Sequence, residues 1–402
     1  MKDKAVIFIN SADFSTPSAS LFRLLAIARG LIENGVEVYW ILLSMEPTKE
    51  ILTDTYYKKI VFITLGKHSN KYKRNKYLFY LYRNLQIYKA NSLLYDLKKQ
   101  YKILTCYTYG DEFLFNCILA KICRMQKIKI YNETTEYPKL IYDDLNNIKK
   151  TRMYIRSKLY LKYFITNVDH IFVISTALKQ FFENHLKKYN KKIPVSILNM
   201  MVEPDRYRYS FSSIDSKYKD IVYVGTMYGD KDGVYYLLEA FLKIYNDYPD
   251  CRLIIIGDNT RTSRMQKVND ILSKIQYSDR IIFTGQLDRK SVIEKINSAY
   301  CLVLTRPNNI QAKYGFPTKL GEYLSTGKPV VITSVGDIPL FLKDGENAFL
   351  AIPDDVDSFA AKLRECLNDP IKASKIGKKG KELVYKDFNY LEVTKNIVYA
   401  MQ

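Results

Sequence analysis

Residues 313–331 read KYGFPTKLGEYLSTGKPVV, and the fold turns on them. Gly315-Phe316-Pro317-Thr318 makes a constrained turn, residues 319–324 read as helix, and Ser325-Thr326-Gly327-Lys328-Pro329 leads back into an apolar strand at 329–333. Upstream, the apolar run 301–305 ends at Arg306-Pro307. Strand, turn, helix and strand in that order form one βαβ unit of a parallel sheet. A helix that starts at Pro317 or Thr318 leaves several amide N–H groups without intrahelical partners. Those groups favour an anion, and a diphosphate is the best complement. Glu322, one turn inside, shares a face with Thr318 or Lys319. A carboxylate there can accept two hydrogen bonds from a vicinal diol such as a ribose; taken alone, Glu322 reads first as a solvent-facing helix residue.

The same rhythm extends in both directions. Strands are predicted at 220–224, 251–256 and 280–283, with a helix over 233–245, and several strand ends carry Gly-containing turns. Among these turns, Gly225 to Gly233 offers glycines and Lys231 between a strand and a helix start, a pattern suited to phosphate but equally to a plain surface turn. The first half alternates likewise, with strands at 5–9, 36–43, 60–65, 103–107, 128–131 and 170–174 and a helix over 18–33 stopped by Asn34-Gly35. Between the halves, residues 204–219 are polar and irregular and read as a linker. The expected organisation is therefore α/β, two doubly wound parallel-sheet domains at 1–203 and 220–385. A terminal helix at 386–402 is expected to return towards the first domain.

A chain of 402 residues is long enough for two cores. Its longest apolar runs fall well short of the ~20 residues of a spanning helix. The opening apolar run of five residues is too brief for a signal-peptide core and suits a first strand. Six scattered cysteines without a CxxC pair argue against framework disulfides and a zinc site, and for a reducing cytoplasm. The net charge of +20 is uneven: residues 1–200 hold 33 Lys and Arg against 16 Asp and Glu, whereas residues 201–402 hold 29 against 26. Residues 58–102 carry twelve basic residues and one acid, Asp96, interleaved with tyrosines. A solvated face, an anionic membrane surface and a nucleic acid all suit that pattern.

Taken together, these segments resemble the donor-site half of glycosyltransferase family 4, whose members have the GT-B fold. Residues 222–241 are similar to the family's strand, phosphate loop and helix, residues 281–287 to its F-x-G turn, and GDIPLFLKDGENAFL at 336–350 to its stretch ending in N-G-x-L. The first half is similar more loosely, through VDHIFVIST at 168–176 and ILNMMVEPDRY at 197–207. The resemblance implies a retaining glycosyltransferase that needs no metal and no cofactor and uses a nucleotide diphosphate sugar as co-substrate. It implies that Lys231 meets the donor diphosphate, helped by Gly225, Thr226 and the backbone of Phe316, Pro317, Thr318, Lys319 and Leu320. Glu322 would take the ribose, and the Gln286-Leu287 backbone would lie beside the base. Arg306, just past a strand end, is a further candidate for a phosphate or sugar contact, with a structural ion pair as its alternative.

Three positions depart from the family pattern. Tyr314 stands where the first Glu of the E-x7-E motif is usual, Thr226 where an Arg often follows the loop glycine, and the first loop, residues 11–17, has no glycine. None of His68, His170 and His185 matches the family's acceptor-side histidine. Carboxylates near the strand ends take its place as candidates, with Glu136 preferred for positioning the acceptor and Asp111 next. The expected acceptor is a lipid-linked glycan of surface polysaccharide synthesis. The basic first half would bind the inner face of the membrane, and no nucleic acid is expected. A sugar-nucleotide 2-epimerase and a catalytically silent lipid- or nucleic-acid-binding subunit are the competing readings.

Overall fold

The computed structural model describes all residues except 1, 11–17, 44–45, 66–75, 140–146, 208–216, 226–231, 259–264, 274–277 and 402. The chain forms two compact units, Met1–Met201 with Tyr390–Gln402, and Val202–Asn389.

The first unit runs β1 (Lys4–Asn10), α1 (Ala19–Glu33), β2 (Glu37–Leu42), α2 (Lys49–Thr53), β3 (Val61–Thr64), α3 (Lys76–Gln100), β4 (Lys102–Tyr109), α4 (Phe113–Met125), β5 (Ile130–Thr134), α5 (Asn147–Leu159), β6 (His170–Val173), α6 (Thr176–Lys188) and β7 (Val195–Ile197). All seven strands are parallel, in the order β3-β2-β1-β4-β5-β6-β7. Ala5 to Ile9 of β1 are fully buried, as a central strand covered on both faces requires. Ser18 caps α1 by accepting from the Leu21 N–H at 3.2 Å, and Gly35 leaves it at φ +80°. Phe8 stacks between Trp40 and Tyr107, with ring centroids 5.1 and 5.0 Å away, at the centre of the core.

The second unit runs β8 (Lys219–Val224), α7 (Val234–Ile244), β9 (Cys251–Ile256), α8 (Met265–Ser273), β10 (Ile281–Gly285), α9 (Arg289–Ser298), β11 (Cys301–Leu304), α10 (Ile310–Tyr314), α11 (Thr318–Thr326), β12 (Val330–Thr333), α12 (Ile338–Phe341), β13 (Phe349–Ala351), α13 (Val356–Asn368) and α14 (Pro370–Leu383). Its six strands are parallel in the order β10-β9-β8-β11-β12-β13. The strand order reverses between β8 and β11, so the ends of those two strands open the crevice in which such sheets bind ligands. That point, beyond Val224 and Leu304, positions the site.

The last helix, α15 (Tyr390–Met401), packs on α1 within the first unit. The Asn34 side-chain amide donates to the Leu391 carbonyl and the Thr394 hydroxyl, each at 3.2 Å, and a Cβ on Gly30 would collide with Thr394. The unit boundaries fall at 201/202 and 389/390 rather than at the ends of a 204–219 linker and at 385. Pro204–Tyr207 is a single 3-10 turn inside the second unit with Tyr207 buried, and residues 208–216 lie outside the described residues. Phe388 is held in the second unit by Phe341 and Phe316, 4.9 and 5.9 Å between ring centroids. Among the described residues no helix is long and apolar enough to cross a membrane, and the six cysteines are free thiols.

Candidate functional site

At the end of β8 the chain passes Gly225, whose N–H donates to the Ile256 carbonyl at 2.8 Å. A Cβ there would overlap the Tyr223 hydroxyl and stand 2.6 Å from the Lys319 Nζ, so only glycine lets these groups approach. The loop returns at Asp232 and Gly233; Gly233 sits at φ +55°, and a Cβ on it would press into the Thr305 carbonyl. Thr305, just past β11, donates its hydroxyl to the Asp232 and Gly233 carbonyls, each at 3.0 Å. The ends of β8 and β11 are thereby tied through the start of α7.

A charged cluster fills the crevice. The buried Asp232 carboxylate accepts from the Tyr223 hydroxyl at 3.1 Å and from the Lys319 ammonium at 3.3 Å. Arg306 is 2% exposed, donates from Nη2 to the Gln311 carbonyl at 3.4 Å, and has no partner for Nε among the described residues. Burial holds the Arg306 pKa below its ordinary value, against the pull of Asp232 and Tyr223. Arg306 thus does face a carboxylate, Asp232, but one already engaged by Lys319 and Tyr223. Two cations share one acid here, and the positive end of α11 adds to them.

Pro317 stands at the N-cap of α11 and has no side chain able to accept from the first-turn N–H groups. Lys319 lies in that first turn, where a cation opposes the helix dipole unless an anion offsets both. One turn on, Glu322 is only partly exposed. Desolvation raises its pKa, against the pull of Arg289 and Lys319 and a hydrogen bond from the Tyr207 hydroxyl. Tyr207 in turn accepts from Arg289. Arg289 opens α9, three residues after Gln286, so the exposed Gln286, the half-buried Leu287 and Glu322 lie on neighbouring elements. Tyr223 and Asp232 lie within the 222–241 stretch and Tyr207 ends the 197–207 stretch, but none of these three, nor Arg289, was singled out as a site residue from the sequence.

Other expected residues fall differently. Lys231 and Thr226 lie outside the described residues. Phe316 packs its ring on Phe341 and Phe388, and Leu320 is fully buried, so Phe316 and Leu320 offer the crevice backbone rather than side chains, whereas Thr318 is half-buried. Tyr314 ends α10 with the Lys313 ammonium 5.9 Å from its ring centroid.

In the first unit, Asp111 receives both of its 2.9 and 3.0 Å hydrogen bonds from one Arg156 Nη2, and Glu136 is exposed just beyond β5. Neighbouring Glu133 is fully buried, held by Arg23 Nε at 2.5 Å and by the Tyr107 hydroxyl at 2.9 Å. Arg23 also donates to the carbonyls of Leu198 and Asn199, at 2.8 and 3.0 Å. This satisfied buried pair ties β5 to the chain leaving β7 and is structural. His170 hydrogen-bonds the Ser196 hydroxyl at 3.0 Å, and burial and Lys129 lower its pKa to about 4. His185 meets the Leu161 carbonyl at 2.9 Å, and His68 lies outside the described residues.

Residues 218–369 match the model of the family described as glycosyl transferases group 1. An uncharacterized glycosyltransferase of Methanocaldococcus jannaschii is 23% identical over 257 residues, 59% of this chain and 59% of that protein. The N-acetyl-alpha-D-glucosaminyl L-malate synthase of Bacillus anthracis is 25% identical over 152 residues, 38% of this chain and 37% of that protein. The alignments thus span well under two thirds of these curated relatives. Anabaena HepE, solved with UDP and glucose, superposes with a TM-score of 0.68 over 99% of both chains at 13% identity. The chain therefore has the two-domain GT-B fold, and its second unit carries the glycosyl transferases group 1 segment.

Proposed function

We propose that this chain is a glycosyltransferase that moves a sugar from a nucleotide diphosphate sugar to an acceptor hydroxyl. The observation that carries the reading is the start of α11: it has no side-chain cap, its Lys319 ammonium stands beside Gly225, and Glu322 lies one turn inside. A diphosphate satisfies the N–H groups and offsets the excess of Arg306, Lys319 and Arg289 over Asp232 and Glu322. The ribose diol then meets Glu322, which Tyr207 and Arg289 hold in place.

In the reaction the bond between the anomeric carbon and the diphosphate breaks, and negative charge grows on the leaving oxygen. Fixed backbone dipoles, Lys231 and Lys319 stabilise that charge without a metal; the acceptor oxygen bonds to the anomeric carbon with retention as its proton passes to the leaving diphosphate oxygen. Lys319 compensates for Thr226 at the position where the family often has Arg. Glu136, more open than Asp111, positions the acceptor hydroxyl. The acceptor is a lipid-linked glycan of surface polysaccharide assembly, reached at the inner face of the membrane by a peripherally bound enzyme.

The HepE complex and the group 1 match support the nucleotide-sugar reading. Incubating the chain with UDP-, GDP- and dTDP-sugars and membrane lipid extracts, followed by mass spectrometry of the lipid fraction, tests it. A mass gain of one sugar residue with one donor is expected. Donor conversion to an isomeric sugar nucleotide without transfer would replace the reading by that of an epimerase.

A further inference from the structure

The helices α3, α4 and α5 cover one side of the first sheet, α3 against α4 and α4 against α5. A crossover helix buries the face turned to the sheet and leaves the other to water. The inner face of α3 follows that rule, with Ile87, Ala90 and Leu94 fully buried. Its outer face does not: Leu81, Leu85 and Tyr88, at spacings of four and three, are 58%, 53% and 63% exposed. On α5, Ile148, Tyr154 and Ile155 are 80%, 45% and 50% exposed. Single exposed apolar side chains are ordinary. A row along one helix, with a second group on another helix packed against the same α4, exceeds the scatter of single exposed side chains.

Charge decides what that surface fits. The three helices together carry twelve Lys and Arg and one acid, Asp96, which pairs with Lys99 at 3.1 Å. Asp111, between β4 and α4, is likewise taken by Arg156. A second copy of this chain would bring the same positive layer against itself. Nucleic acid would meet the cations and could stack on Tyr88 and Tyr154, but it would leave the aliphatic Leu81, Leu85, Ile148 and Ile155, which have no flat π face, in water. An anionic bilayer satisfies both features, since lipid headgroups meet the basic side chains and the acyl boundary takes the aliphatic ones.

We propose that the outer face of α3 and α5 docks on an anionic membrane leaflet, with Leu81, Leu85 and Tyr88 inserted below the headgroups. This deepens the membrane association proposed above by naming the surface that makes it.

The test is co-sedimentation of the full chain with phosphatidylcholine vesicles containing increasing phosphatidylglycerol, at low and high salt. Wild type, Leu81→Ser/Leu85→Ser and Lys149→Glu/Lys150→Glu are compared, with Ile371→Ser, 84% exposed in the second unit, as control. Wild type and control should partition alike onto anionic vesicles. The leucine variant should lose about tenfold or more in partitioning at either salt. The charge reversal should lose about fivefold or more for each contact removed, mostly at low salt. A Leu85→Trp chain, whose only other tryptophan is the buried Trp40, should show emission quenched by brominated lipid.

Thermal shift by nucleotide on the same samples reports the other unit. If nucleotide binding survives while the leucine variant binds vesicles as well as wild type, the docking face is wrong and the donor reading stands. If no nucleotide binds but the variants lose vesicles as stated, the reverse holds. Tighter binding of wild type to single-stranded nucleic acid than to vesicles, unaffected by the leucine changes, overturns the proposal.

Discussion

Replacing Glu322 by Gln separates binding from stability. In the folded chain the carboxylate is desolvated, and that burial outweighs the pull of Arg289, Lys319 and Tyr207 and leaves its pKa raised. Folding therefore favours the protonated form. This contribution is present at low pH and lost as pH rises from the ordinary value of 4.5 through the raised one. A neutral amide of the same shape escapes the desolvation cost, so Glu322→Gln should change unfolding free energy by less than about 1 kcal/mol. Binding should respond differently. A ribose diol loses a charged acceptor worth about 1.5–3 kcal/mol, or roughly 10- to 150-fold in Kd. In wild type the same loss should appear on acidification, with a midpoint above 4.5, and the variant should lack that step. Titration calorimetry with the cognate nucleotide and urea unfolding on one preparation measure both quantities. An unchanged Kd in the folded variant, or a fall in stability as large as the fall in affinity, would refute the ribose role.

Lys231→Ala should lower kcat more than it raises KM, because the leaving diphosphate gains charge in the transition state; steady-state kinetics decide, and a loss confined to KM would leave Lys231 a ground-state contact. Gly225→Ala should cost about 1–3 kcal/mol of stability and displace Lys319, since the new methyl meets the Tyr223 hydroxyl and the Lys319 ammonium; denaturant melts and nucleotide titration check both effects. Glu133→Gln, which leaves the Arg23 cation buried without its carboxylate, should destabilise the first unit by about 3–5 kcal/mol in urea unfolding. His170, with a folded pKa of about 4 against an ordinary 6.5, contributes stability that is full above pH 6.5 and lost as pH falls through 4. His170→Asn should flatten that part of the stability-pH curve in urea melts at stepped pH.

Most of the sheet was legible because buried parallel strands are apolar along their whole length. Runs such as 5–9 and 301–304 stand out against the Gly, Asn and Pro that bound them. The edge strands β7 and β13 were missed, because three residues are too few to show a period. The terminal limits moved for a related reason. Residues 204–207 look like linker in sequence, and only the burial of Tyr207 beside Glu322 assigns them to the second unit. At the site, α11 was readable because Pro317 and Gly327 mark its ends. Asp232, Tyr223 and Arg289 were not: Tyr223 and Asp232 meet across the loop after β8, and Lys319 and Tyr207, which complete the set, lie some eighty residues from Asp232 and Arg289 respectively. Glu133 shows why a strand-end position alone does not mark a reactive carboxylate: Arg23, 110 residues earlier, neutralises it in the core.

The central claim is that the start of α11 holds the diphosphate of a sugar nucleotide. Calorimetric titration of the purified full chain with UDP, GDP and dTDP, beside the matched chain carrying Glu322→Gln, tests it most directly. One nucleotide should bind with a 1:1 stoichiometry, and its affinity should fall at least tenfold in the variant. Absence of binding by all three at millimolar concentration, or binding indifferent to Glu322, would contradict it.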